Sequence, residues 1–253
     1  MREIEGRSIL ITGGGSGIGE GSAEHFVELG ARVTITGRRA DRVREVANRL
    51  GERCLAVPGD VTVAADRSRM VSAAVDHGGG LEALISNAGN MYRVPVDELE
   101  EDRLLELFHI NVVGGMMLVA EAKPHLVESR GCVLFVGSVH TQRAFPGVAP
   151  YAATKGALEA LTGVLAAELG ADQVRVGCVR PGAVDTEINV RAGLATREES
   201  RARLESIAPM HALGRIGTAR DIAEAFEYLI RADWTTGNVL TVDGGLGLGV
   251  THA

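Results

Sequence analysis

The chain has 253 residues, enough for one α/β domain with a large core and too few to argue for two. Its net charge of -7 and its 4% aromatic content argue against a nucleic-acid partner, which needs a basic face and stacking surface. Three scattered cysteines, Cys54, Cys132 and Cys178, read as small core hydrophobes in a reducing compartment rather than as a disulfide framework.

Met1–Thr12 carries charges before a short apolar run and does not read as a signal peptide. No run approaches ~20 uninterrupted apolar residues, so no bilayer span is expected, and the chain reads as cytoplasmic. From there, short apolar runs alternate with longer segments of helical period. Ser8–Thr12 (SILIT) predicts a first buried strand and Ile18–Leu29 a helix. Arg32–Thr36 predicts a second strand and Asp41–Leu50 a second helix. Cys54–Val57, Ala83–Ser86, Cys132–Val136, Val174–Val179 and Val239–Val242 make up about seven strands. Helices are predicted over Ala64–His77, Glu101–Val127, Ala149–Leu169 and Ala219–Ile230, with a break or bend at Lys123–Pro124.

Strands that are apolar throughout, separated by helices, imply a parallel sheet covered on both faces. Right-handed crossovers then give a Rossmann-type, doubly wound α/β fold in a single domain over residues 1–253. The charged stretch from Gly182 to His211 reads as a partly helical excursion that covers a site. Met116–Met117 read as core packing, and His109 as a packed helix residue.

Thr12–Gly19 (TGGGSGIG) lies between the first strand and the first helix. Gly13, Gly15, Gly17 and Gly19 there permit a sharp turn and close approach to a pyrophosphate, while Ser16 and Ile18 open the helix whose free N–H groups attract that anion. The second strand ends in Gly37, where an acidic residue would hold the ribose of NAD, followed by Arg38 and Arg39, which suit a 2′-phosphate. NADP(H) is therefore expected over NAD(H). Asp60 and Val61 follow the third strand; Asp60 reads either as a contact to the adenine edge or as a helix N-cap.

Ser138 closes the fifth strand, and Tyr151 and Lys155 follow at i, i+4 on the next helix (YAATK), so phenol and ammonium share a face. Moving a hydride to or from a carbonyl carbon requires a proton to move at its oxygen. Tyr151 is the expected proton carrier, Lys155 the charge that eases its ionisation, and Ser138 the donor to the substrate oxygen. His140, Gln142 and Arg143, with Asn90, Met91, Tyr92 and Arg93, are candidate substrate contacts. No His or Cys spacing suggests a metal.

Taken together, TGGGSGIG, Asp60–Val61, Asn87–Ala88–Gly89, Asn111, Ser138, Tyr151–Lys155, Pro181–Gly182 with Thr186, and Asp243–Gly244–Gly245 resemble the short-chain dehydrogenase/reductase family, in its branch of about 250 residues. The resemblance covers essentially the whole chain. It implies that Asn87, Ala88 and Gly89 shape the cofactor side of the cleft, that Asn111 holds a water linking Lys155 to solvent, and that Lys155 binds the nicotinamide ribose. It also implies that Val184 and Thr186 position the nicotinamide carboxamide, and that Pro181 and Gly182 belong to the cofactor-binding set. It predicts a small-molecule carbonyl or alcohol substrate and a homotetramer, or homodimer, with the tail Leu246–Ala253 at an interface. Sugar, steroid and simple alcohol dehydrogenases with NAD share these motifs, and a dinucleotide sensor without turnover is the alternative from another class.

Overall fold

The computed structural model describes residues 1–249. Seven strands form one parallel sheet: β1 (Ser8–Thr12), β2 (Arg32–Gly37), β3 (Cys54–Pro58), β4 (Ala83–Ser86), β5 (Cys132–Val136), β6 (Arg175–Pro181) and β7 (Asn238–Val242). Their order is β3-β2-β1-β4-β5-β6-β7, with every neighbouring pair parallel. The order reverses between β1 and β4, so the crevice beyond their C-terminal ends is the place where such sheets bind ligands.

The strands are continuous apolar runs because both faces are covered. In β1, Ile9 and Ile11 face one side and Leu10 the other, and all three are fully buried. The first side is closed by α1 (Gly17–Glu28), α2 (Ala40–Leu50) and α9 (Ala219–Arg231), through Phe26, Val43 and Phe226. The second is closed by α3 (Ala64–Gly78), α5 (Gly114–Ser129) and α6 (Ala149–Leu169), through Met70, Leu118 and Leu158. Each such side chain contributes roughly 1.5–3 kcal/mol by burial.

The helix expected over Glu101–Val127 divides into α4 (Glu101–Phe108), a π-helical turn (His109–Val113) and α5. Gly114 and Gly115 do not interrupt it. A Cβ on Gly114 would lie 2.9 Å from Val61 Cγ2, so glycine lets the helix approach the loop after β3. Pro124 sits inside α5 without ending it; the carbonyl it leaves unpaired is on an exposed stretch, where water can bond it. Two expectations fail on this run. Met116 and Met117 are 43% and 45% exposed, and His109 is exposed as well, because the run is apolar on more than its core-facing side. By length and composition the helix Glu101–Ser129 is apolar enough to cross a bilayer, yet Leu107, Leu118, Ala122 and Leu126 are buried in the protein core.

The stretch after β6 holds α7 (Ile188–Arg191) and α8 (Arg197–Ile207). Thr196 and Glu199 cap α8 reciprocally, which gives this otherwise charged segment a defined start. Of the tail expected at an interface, Leu246 is instead buried against the cleft described below, and residues 250–253 lie outside the described residues.

Candidate active site

The crevice between β1 and β4 is held by hydrogen bonds. Thr12 Oγ1 accepts from the backbone N–H of Asn87 (3.0 Å) and of Ala88 (2.8 Å), and Asn87 Nδ2 donates to the Thr12 carbonyl at 2.8 Å. Gly13 and Gly17 have φ of +70° and +56°, which side-chain-bearing residues rarely adopt. The Ser16 hydroxyl does not cap α1, so the first N–H groups of this helix, beside the crevice, lack that acceptor.

One cleft runs over this turn, lined by Gly13, Gly15, Ser16, Arg38, Arg39 and Asp60, with Val61, Ala88 and Gly89 on its far wall. It continues past Gly17, Ile18 and Asn87 to Tyr151, Lys155 and Thr186. Free helix N–H groups followed by guanidinium groups form a donor set suited to a dinucleotide with its phosphates. Gly19 does not line it; a side chain there would collide with the Gly13 carbonyl, so this glycine serves the packing of the turn. Thr12 is buried behind it. Asp60 is no helix cap, since α3 starts at Ala64; its Oδ1 accepts from Thr62 N (2.9 Å) and Thr62 Oγ1 (2.8 Å), and its Oδ2 lies 3.8 Å from Arg38 Nη1.

Two residues at this cleft, Glu187 and Arg191, carry no sign of it in the sequence. Arg39 Nη2 donates to Ser16 Oγ at 2.9 Å and to Glu187 Oε2 at 3.3 Å, and Arg191 Nη2 reaches the Gly89 carbonyl at 3.2 Å. Both Glu187 and Arg191 come from the excursion after β6, which therefore spans the cleft.

A second cleft of about 350 Å³ adjoins the first. Ser138, Tyr151, Pro181, Gly182, Val184 and Thr186 line it, and α8 roofs it with Leu204 and Ile207. Tyr151 and Thr186 belong to both clefts. Of the other candidate contacts, Met91, Arg93 and His140 reach this cleft, joined by Arg203. The loop between Ser138 and α6 is pinned by a half-buried pair: Arg180 donates from Nε (2.9 Å) and Nη2 (2.7 Å) to the two oxygens of Glu159 on α6, and Thr141 Oγ1 donates to Glu159 Oε1 at 2.7 Å.

Tyr151 is buried, and burial pushes its phenol up to about 12, with Ser138 acting against this through a hydrogen-bonding contact. Lys155 Nζ donates to the Val136 carbonyl at 2.8 Å and lies 5.4 Å from the centre of the Tyr151 ring; burial pulls it down to about 8. In the chain by itself, burial governs the phenol and outweighs any lowering by its neighbours. His140 is lowered to about 4 by burial and by the nearby Arg93 and Arg203, so it is neutral near pH 7. Its Nδ1 lies 2.8 Å from Ser138 Oγ. When Nδ1 carries the ring proton, the Ser138 hydroxyl proton is free to point into the cleft.

Asn111 stands behind these groups, buried in the π-helical turn. Its Oδ1 accepts from Asn90 N (2.7 Å), and its Nδ2 donates to the Asn90 carbonyl (3.0 Å) and to Thr154 Oγ1 (3.1 Å). Both amide hydrogens are thus engaged by protein partners, tying the loop after β4 to α6.

The family described as enoyl-(acyl carrier protein) reductase matches residues 13–247. An uncharacterized oxidoreductase of Methylorubrum extorquens is 36% identical over 252 residues, covering 97% of this chain and 100% of its own. A short-chain dehydrogenase/reductase of unknown function from Caenorhabditis elegans, solved with cofactor, is similar with a TM-score of 0.93 at 26% identity over 98% of each chain. A 3-ketoacyl-(acyl-carrier-protein) reductase from Brucella melitensis complexed with NADH is similar with a TM-score of 0.86 at 32% identity, covering 96% of this chain and 99% of its own.

Proposed function

Because the chain belongs to the short-chain dehydrogenase/reductase family, oxidoreductases that transfer hydride with a nicotinamide dinucleotide, we propose that it interconverts a ketone or aldehyde and an alcohol with NADP(H), using Tyr151 as general acid and base. The observation that carries this reading is the position of Tyr151, shared by the cleft suited to a dinucleotide and the cleft beside it.

When bound, the dinucleotide supplies or accepts the hydride and, oxidised, adds a positive charge. In reduction, Tyr151 donates its proton to the carbonyl oxygen while the Ser138 hydroxyl bonds that oxygen and stabilises the charge gathering there. In oxidation the proton returns to the phenolate. Lys155 favours that phenolate only while charged, and the Val136 carbonyl helps keep it so by accepting from Nζ. At about 5 Å and an effective dielectric near 20, an ammonium is worth roughly 3 kcal/mol to a phenolate. Asn111 acts as a positioning residue, holding Thr154 and the Asn90 loop.

NADP(H) is favoured because no carboxylate stands at Gly37 while Arg38 and Arg39 flank the cleft. NAD(H) is the second reading, favoured by Asp60, whose carboxylate lies near Arg38 and would repel a 2′-phosphate. A dinucleotide sensor would leave the proton-transfer set without a use. The exposed Val113, Met116 and Met117, with Val164 on α6, support a homotetramer or homodimer built on these helices. Buried free cysteines suit a reducing, cytoplasmic setting. A panel of ketones and aldehydes, scored for NADPH and for NADH consumption, tests the reading; no turnover of any member with either cofactor would contradict it.

A further inference from the structure

The second cleft is apolar over most of its wall, yet two arginines open into it from different elements, Arg93 from the loop after β4 and Arg203 from α8. Among the described residues no Asp or Glu lines the cleft. Among the described residues neither guanidinium takes part in an ion pair, although most other arginines of the chain do. Arg93 Nε is buried and has no hydrogen-bond partner.

Arg93 is held in place. The next residue, Val94, donates its N–H to the Gly147 carbonyl at 2.8 Å, which ties this loop to the one entering α6 and Tyr151. Arg203 is positioned by its neighbour Leu204, buried under the roof of the cleft. The two cations act on each other and on the groups beside them. Burial and then Arg203 depress Arg93, and after burial both arginines depress His140, which touches Ser138. Their field therefore reaches the hydroxyl proposed to bond the substrate. Like charges facing one mostly apolar cleft repel each other, and an anion between them relieves this.

Resting on the carbonyl-reduction reading, we propose that the substrate is a carbonyl compound bearing an oxyanion, a carboxylate or a phosphate monoester, which Arg93 and Arg203 bind while its carbonyl faces Tyr151 and Ser138. Guanidinium groups suit this task because their planar donors match the paired oxygens of such anions. The apolar wall between the arginines and Ser138 then receives the carbon chain joining the two ends.

The test compares matched pairs: levulinate and para-acetylbenzoate, each against its methyl ester, and dihydroxyacetone phosphate against dihydroxyacetone. Two readouts are taken, kcat/KM with saturating NADPH and the shift in Tm of the NADPH-loaded enzyme. We expect the anion of at least one pair to be preferred by about 10- to 100-fold, the range for charge-assisted contacts. The combined variant Arg93→Gln with Arg203→Gln should bring that ratio close to one. Arg203→Gln alone, at an exposed position on a capped helix, should lower it part of the way. The arm that shows the preference identifies carboxylate or phosphate. Ratios near one for every pair in the wild type, or a preference that survives the combined variant, overturn the proposal. No reduction of any partner, charged or neutral, with either NADPH or NADH would instead sink the carbonyl-reduction reading, while the Tm arm still reports on the arginines.

Discussion

Lys155 Nζ bonds the Val136 carbonyl at 2.8 Å and stands 5.4 Å from the centre of the Tyr151 ring, so the cation is anchored to the end of β5 beside the phenol. Burial moves the two groups in opposite directions, Tyr151 up to about 12 and Lys155 down to about 8. A useful base near neutral pH therefore requires both a charged Lys155 and a further positive charge. Replacing Lys155 by Met should move the pH at which alcohol oxidation reaches half its maximum upward by about 2 units, the equivalent of roughly 3 kcal/mol. The pH profile of kcat for alcohol oxidation checks this. A profile that Lys155→Met leaves in place would show that the ammonium does not act on the phenol.

The neutral His140 beside Ser138 makes an acid-stability prediction. Its folded value of about 4 lies below the ordinary histidine value of about 6.5, so between these the unfolded chain binds more protons. The stability that His140 confers while neutral is present above about pH 6.5 and is lost as pH falls toward 4, amounting to roughly 3 kcal/mol. Carboxylates held low by partners, such as Asp66 by the Asp60 N–H, lose their contribution in the same direction but at lower pH. Urea unfolding at intervals from pH 7 to 4 should show a shallower fall for His140→Gln than for wild type. Parallel curves would contradict this.

Asn111 makes three hydrogen bonds from one buried amide. Asn111→Ala leaves the Asn90 N–H and carbonyl without that partner and should cost about 2 kcal/mol of stability. If the residue acts by positioning, activity should fall mainly in kcat, with KM for the dinucleotide little changed. Thermal unfolding and steady-state kinetics read the two effects separately. A variant of wild-type stability would show that the clamp contributes nothing to the fold.

Arg38 and Arg39 are both exposed, but Arg39 is already engaged by Ser16 and Glu187, whereas Arg38 has only Asp60 nearby at 3.8 Å. Arg38→Asp should weaken NADPH binding by about 10- to 100-fold, the loss of one charge-assisted contact, and improve NADH binding. Fluorescence titration of both dinucleotides measures it. Tighter binding of NADH than of NADPH by the wild type would assign the second cofactor reading instead.

What was legible in the sequence depended on how local its cause is. β1, β4 and β5 match their predicted bounds because a short strand buried on both faces reads as a near-continuous apolar run, with polar residues only at its ends. The spacing of Tyr151 and Lys155 was equally legible, since i, i+4 on a helix sets the shared face. Met116 and Met117 were misplaced because a helix that is apolar nearly all round gives no periodic sign of which side is the core. The π-helical turn at Asn111 has no residue signature of its own. Glu187, Arg191 and Arg203 stand out in sequence only as members of a charged stretch; their approach to the clefts follows from how the excursion folds back over the sheet edge.

The most direct test is the rate of NADPH-dependent ketone reduction by Tyr151→Phe, measured beside NADPH affinity in the same protein. Loss of a general acid predicts a fall in kcat of about 10²- to 10⁴-fold with dinucleotide affinity retained. Equal rates in wild type and variant would contradict the account at its centre.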